Sequence, residues 1–131
     1  MQVQQIISTH PQVRDHINGA LIRCIEECYS CAQACTSCAD ANLAEDMVAE
    51  LRQCIRLCLD CADICEATGR IASRCTGSDE ETVRRMLHAC AAACRLSGEE
   101  CTRHAKRHEH CRICAQACQR CMQACEDAGH K

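Results

Sequence analysis

Small apolar residues recur along this chain at every third or fourth position, set into otherwise polar sequence. The first run is Cys24, Cys28, Cys31, Cys35 and Cys38, with steps of 4, 3, 4 and 3. The second is Cys54, Cys58, Cys61 and Cys65, after which Thr68 and Ala72 carry the register to Cys75. The third is Cys90, Cys94 and Cys101, with Ser97 at the step between them, and the fourth is Cys111, Cys114, Cys118, Cys121 and Cys125. Steps of three and four place side chains on one helix face. Each run therefore predicts an amphipathic helix whose buried a/d stripe is cysteine where leucine ordinarily stands.

The spacing predicts helices over 18–41, 43–75, 79–106 and 109–128, with a short helix over 3–16, all in a single domain spanning 1–131. Asn42-Leu43-Ala44-Glu45 and Ser78-Asp79-Glu80-Glu81 have the form of capping boxes and are expected to open the second and third of the four long helices. Asn18-Gly19 is a weaker start for the first, and Thr76-Gly77 should break the second. Cys101, His104, His108 and Cys111 keep the same rhythm with no Gly or Pro between them. A turn is expected near Lys106 to Glu109, although nothing local demands it. Four such helices with short connections make an all-α, antiparallel four-helix bundle whose Cys-lined core holds the stripes on its axis.

Composition sharpens this picture. Of 131 residues, 18 are cysteine, Phe and Trp are absent, and Tyr29 is the only aromatic. One proline and five glycines leave too few turn residues for a sheet-based fold. A net charge of -3 argues against a nucleic-acid partner steered by positive charge. No apolar run reaches the ~20 residues of a membrane span. The opening MQVQQIISTHPQ has neither a basic n-region, an apolar h-region nor a twin arginine, so the expected compartment is the cytoplasm. Thiols stay reduced there, and dense cysteine more often means metal or redox chemistry than disulfides. No nucleophile–base motif or phosphate-binding loop is present, and no enzymatic activity is expected.

Several uses of the thiols can be weighed. As plain core residues they are inferior to Leu, which buries more area. Disulfides between neighbours three or four apart on one helix strain the required geometry. The radical-SAM-like spacing Cys24-x3-Cys28-x2-Cys31 recurs at Cys31-Cys35-Cys38, Cys54-Cys58-Cys61 and Cys114-Cys118-Cys121, which makes it a by-product of the helical period. Binding of a soft d10 ion remains. Eighteen buried thiolates would carry eighteen negative charges, each costing several kcal/mol. Zinc in four-thiolate sites leaves much of that charge standing, whereas Cu(I) at about one ion per thiolate nearly cancels it. Seven in-register CxxxC pairs also suit the two- or three-sulfur coordination of Cu(I). A zinc or cadmium metallothionein-like sink and a thiol redox buffer stay open as alternatives.

The stripes CIEECYSCAQACTSC, CIRLCLDCADIC, CAAAC and CRICAQACQRCMQAC resemble, over Gly19 to Ala128, the signal-less cytosolic branch of the bacterial copper storage (Csp) proteins. That resemblance implies a cytosolic homotetramer holding many Cu(I) ions, about one per Cys. All eighteen cysteines are then candidate ligands.

Antiparallel threading gathers Ile17, Leu21, Val83, Leu87, Cys75 and Ala128 at one end of the column, which should be plugged. It gathers Cys38, Met47, Leu51, His104, His108, His110 and Cys111 at the other. His104, His108 and His110 are candidate ligands at a copper entrance there. The competing account is a solvated basic helix end, since Arg103, Lys106, Arg107 and Arg112 lie nearby.

Overall fold

A computed structural model describes residues 1–14 and 16–129. It contains α1 (Val3–Ser8), α2 (Gly19–Leu43), a 3-10 turn (Val48–Leu51), α3 (Arg52–Ser73), α4 (Glu80–His104) and α5 (Glu109–Gly129). No strand occurs among the described residues. α2 packs beside α3 and α5, and α4 beside α3 and α5, so the four long helices close into a ring. Their cysteine stripes face inward, and seventeen of the eighteen cysteines are buried in the enclosed core. Outer faces are largely polar, with Leu59, Leu96 and Ile113 exposed among them, and carry i,i+4 ion pairs such as Arg56–Asp60 and Arg70–Glu66, each worth only a few tenths of a kcal/mol.

The short N-terminal helix ends at Ser8, not at His16 as the sequence pattern suggests. Pro11 disfavours helical geometry at His10. The Thr9 hydroxyl donates to the Ile6 carbonyl at 2.8 Å, and the backbone turns at once. Asp15, inside the expected helix, lies outside the described residues. Ile7 seats α1 on Ile22, Ile25 and Ala72, and the His10 ring bonds the Thr76 hydroxyl at 2.9 Å, tying the segment to the α3–α4 loop.

A second difference concerns the Asn42-Leu43-Ala44-Glu45 box, which starts no helix. Asn42 falls four residues after Cys38, in the next core position of the α2 stripe, and is fully buried. Its side-chain oxygen accepts from the Cys111 thiol at 3.5 Å instead of capping a helix. α2 therefore runs on to Leu43, and α3 begins only at Arg52, after a loop and the 3-10 turn. α3 ends at Ser73, leaving Cys75 beyond it.

At the start of α4 it is Asp79, not Ser78, that caps: its carboxylate accepts from the backbone N–H of Glu81 at 2.9 Å and of Thr82 at 3.3 Å. Gly77 precedes it with φ +57°, a left-handed conformation that glycine adopts without strain. α4 ends at His104, and the chain reverses through Ala105 to His108.

Candidate metal centre

Helix geometry turns the four stripes into one continuous column of sulfur. Along α2, Cys24 lies 3.9 Å from Cys28 and Cys31 lies 3.8 Å from Cys35, sulfur to sulfur. Links between helices are as close: Cys24–Cys125 at 3.4 Å, Cys28–Cys90 at 3.8 Å, Cys65–Cys94 at 3.6 Å and Cys58–Cys101 at 3.6 Å. Four quartets have all their sulfurs within 4.8 Å of one another: Cys28/Cys90/Cys121/Cys125, Cys31/Cys65/Cys94/Cys121, Cys31/Cys35/Cys61/Cys118 and Cys38/Cys58/Cys101/Cys114. A triad of Cys38, His110 and Cys111 meets the same limit. Quartets share members, since Cys121 and Cys31 each belong to two and Cys38 also joins the triad. Shared sulfurs suit bridging thiolates better than isolated tetrahedral sites.

The thiols are buried against one another, so protonation follows the neighbouring sulfurs. S–H donation from Cys101, Cys114 and Cys54 holds the Cys38 thiol down at about 3. Donation from Cys125 and Cys28 holds Cys24 at about 5, at the other end. Cys111 is pushed up to about 12, first by burial and then by the negative charge of Cys38. Cys28 and Cys94, each first through its contact with Cys121, are shifted strongly upward. A few thiolates can exist because their neighbours stay protonated. Full deprotonation needs a cation in the proton's place.

The histidine end is less uniform than the sequence suggests. His110 Nδ1 is 3.4 Å from Cys38 Sγ and 3.7 Å from Cys111 Sγ. Its Nε2 is 2.9 Å from a Glu45 carboxylate oxygen. His108 Nδ1 bonds the same oxygen at 3.0 Å, and the two imidazoles stack with centroids 5.5 Å apart. Burial opposes charge on His110, but its bonds to Cys38 and Glu45 prevail and raise its pKa. Donation from His110, with the charge of His108 assisting, holds the Glu45 carboxyl below its ordinary range. His104 turns away: its Nε2 pairs with Glu100 at 3.0 Å. Met47 is exposed.

The structure thus brings seventeen cysteines and His110 together, with His108 one carboxylate removed. It leaves Cys75 half-buried beside α1 and His104 on Glu100. Two residues missed by sequence reasoning belong to the mouth. Asn42 was legible as the next step of the α2 stripe. Glu45 gave no signal, because a loop places it over the mouth.

A family model described as copper storage protein matches residues 17–130. The chain belongs to the copper storage protein family. The structure of the copper storage protein Ccsp from Streptomyces lividans, loaded with 10 copper equivalents, is 51% identical, covers 97% of each chain and superposes with a TM-score of 0.93. A five-copper structure of a cytosolic copper storage protein from the same organism is 55% identical over 86% of this chain and 93% of that one, with a TM-score of 0.84. An uncharacterized cysteine-rich protein of Bacillus subtilis (strain 168), YhjQ, is 37% identical over 102 residues, 78% of this chain and 89% of its own. The fold is thus that of the family's helical bundle. No helix among the described residues is long and apolar enough to cross a membrane.

Proposed function

We propose that this chain stores Cu(I) in the core of its bundle, on the seventeen buried cysteines, with His110 as an added ligand at the mouth. The observation that carries this is the unbroken, shared sulfur network. Cu(I) replaces the thiol proton one charge for one, so a column filled at roughly one ion per thiolate stays near neutral in a medium where bare charge costs several kcal/mol. Uptake releases protons to solvent. Glu45 sits where it can hold one imidazole nitrogen of His110 and leave the other facing Cys38 and Cys111, so the mouth receives an incoming ion with two sulfurs and a nitrogen. His108 supports Glu45 from the side. His104 and Cys75 take no direct part.

This is storage by mass action, and no reaction is catalysed. The thiol set needs a reducing compartment, and we place the protein in the cytoplasm. A homotetramer is the assembly that the family resemblance supports. The experiment is an anaerobic Cu(I) titration of the full chain against a strong Cu(I) chelator. A plateau near one ion per buried thiol supports storage. Weak competition for copper together with a plateau near four zinc ions would overturn it.

A further inference from the structure

Ser97 occupies the one step of the α4 stripe between Cys94 and Cys101, and it is fully buried. Its hydroxyl oxygen lies 3.9 Å from Cys35 Sγ on α2, 3.7 Å from Cys58 Sγ on α3 and 3.6 Å from Cys118 Sγ on α5. A single oxygen therefore stands on the bundle axis with sulfur from each of the other three helices around it. The next residue, Gly98, marks a close approach of α4 and α5, since a Cβ there would sit 3.3 Å from that of Cys118. α4 and α5 thus approach closely at the level where α4 lacks a sulfur.

The thiols sort around this level. Grouped by their close sulfur links, Cys38, Cys54, Cys58, Cys101, Cys111 and Cys114 form one set at the His110 end, and the other eleven buried thiols form a second. Within 4.0 Å the two groups are joined by the S–H···S hydrogen bond from Cys114 to Cys35, at 3.7 Å, and looser contacts of Cys35 with Cys58 and of Cys114 with Cys118 lie at the same level. A hydroxyl is a hard donor atom and a poor ligand for Cu(I), so it does not replace a bridging thiolate. Its O–H can instead donate to a thiolate sulfur beside it.

We propose that Ser97 divides the copper store into two compartments, an outer one of six thiols next to His110 and an inner one of eleven, which empty as separate populations. The proposal rests on the copper-storage reading above. Copper bound in the outer compartment leaves through the mouth directly. Copper inside must cross the level of Ser97, where the Cys114–Cys35 bond at 3.7 Å is the sulfur link within 4.0 Å.

The test is anaerobic transfer of copper from the fully loaded full-length protein to an excess of a strong Cu(I) chelator, followed in time. Wild type should release copper in two phases with amplitudes near six to eleven, the smaller one faster. Ser97→Cys completes the sulfur path, so the phases should merge and the plateau should rise by one ion. Ser97→Ala adds no sulfur and should keep both phases. Native mass spectrometry of partly unloaded wild type gives a second reading that needs no variant. A population retaining about eleven ions should accumulate. A single release phase in wild type with a smooth distribution of bound ions would overturn the division, as would two unchanged phases in folded Ser97→Cys. If wild type takes up no Cu(I), it is the storage reading that fails.

Discussion

Among single side chains, the mouth makes the sharpest claims. His110 faces two thiols and Glu45 holds it there, whereas His104 is engaged by Glu100. His110→Ala should therefore slow Cu(I) uptake severalfold and leave the plateau within about one ion of wild type, while His104→Ala should change neither. Stopped-flow loading at fixed Cu(I) distinguishes them, and equal effects of the two substitutions would remove the special place of His110. The pair also has a pH signature. His110 has a folded pKa above its ordinary 6.5, so its stabilisation is fully present below that value and is lost as pH rises through the folded pKa. Glu45 has a folded pKa below its ordinary 4.5, so its stabilisation is present above that value and is lost as pH falls through the folded one. The Tm difference between wild type and His110→Ala should thus be largest between about 4.5 and 6.5 and shrink on the alkaline side; a gap that widens with rising pH contradicts this assignment. Three histidines read as equivalent in the sequence because periodicity places residues on a face but does not say which acid a loop will bring to them.

Where elements begin and end is decided by which side chain reaches a free backbone group first. Asp79 takes two N–H donors at the start of α4, and Asp79→Ala should cost about 1 kcal/mol, seen in reversible denaturant unfolding of the apo protein. Tyr29 lies against Gly69 of α3, where an added Cβ would come within 3.1 Å of the ring. Gly69→Ala should then destabilise the protein by about 1–3 kcal/mol, because the half-buried ring must shift from its place on α3; no loss of stability would mean that the ring swings out. The stripes themselves were legible, since steps of three and four leave few alternatives to a helix. The box at Asn42 misled because the same residue was also the next core position of α2, and burial against Cys111 outweighed capping. At α1 the shortening was foreshadowed by Pro11, but the bond from Thr9 to Ile6 that ends the helix could not be read from spacing alone.

For the whole molecule, the cysteine content sets an unusual relation between cargo and stability. Thiols are small, and a core made of them buries less apolar surface than one of leucine, so the metal-free bundle draws modest stabilisation from its axis. On the storage reading the same thiols would bind Cu(I) through bonds that join neighbouring helices, since their sulfurs lie 3.4–4.0 Å apart across helices. Ions that bind the folded column more tightly than an unfolded chain stabilise it by mass action, by about 2.7 kcal/mol for each independent site at a free ligand concentration a hundredfold above its Kd. Successive loading should therefore raise Tm step by step, with the largest gains while ions are still creating links between helices that had none. Removing the metal with a chelator should bring Tm back to the apo value. Calorimetry under anaerobic conditions at a series of copper-to-protein ratios checks this. A Tm independent of loading would mean that ions attach to the thiols of single helices without tying the bundle together, and the shared quartets would then have no energetic meaning.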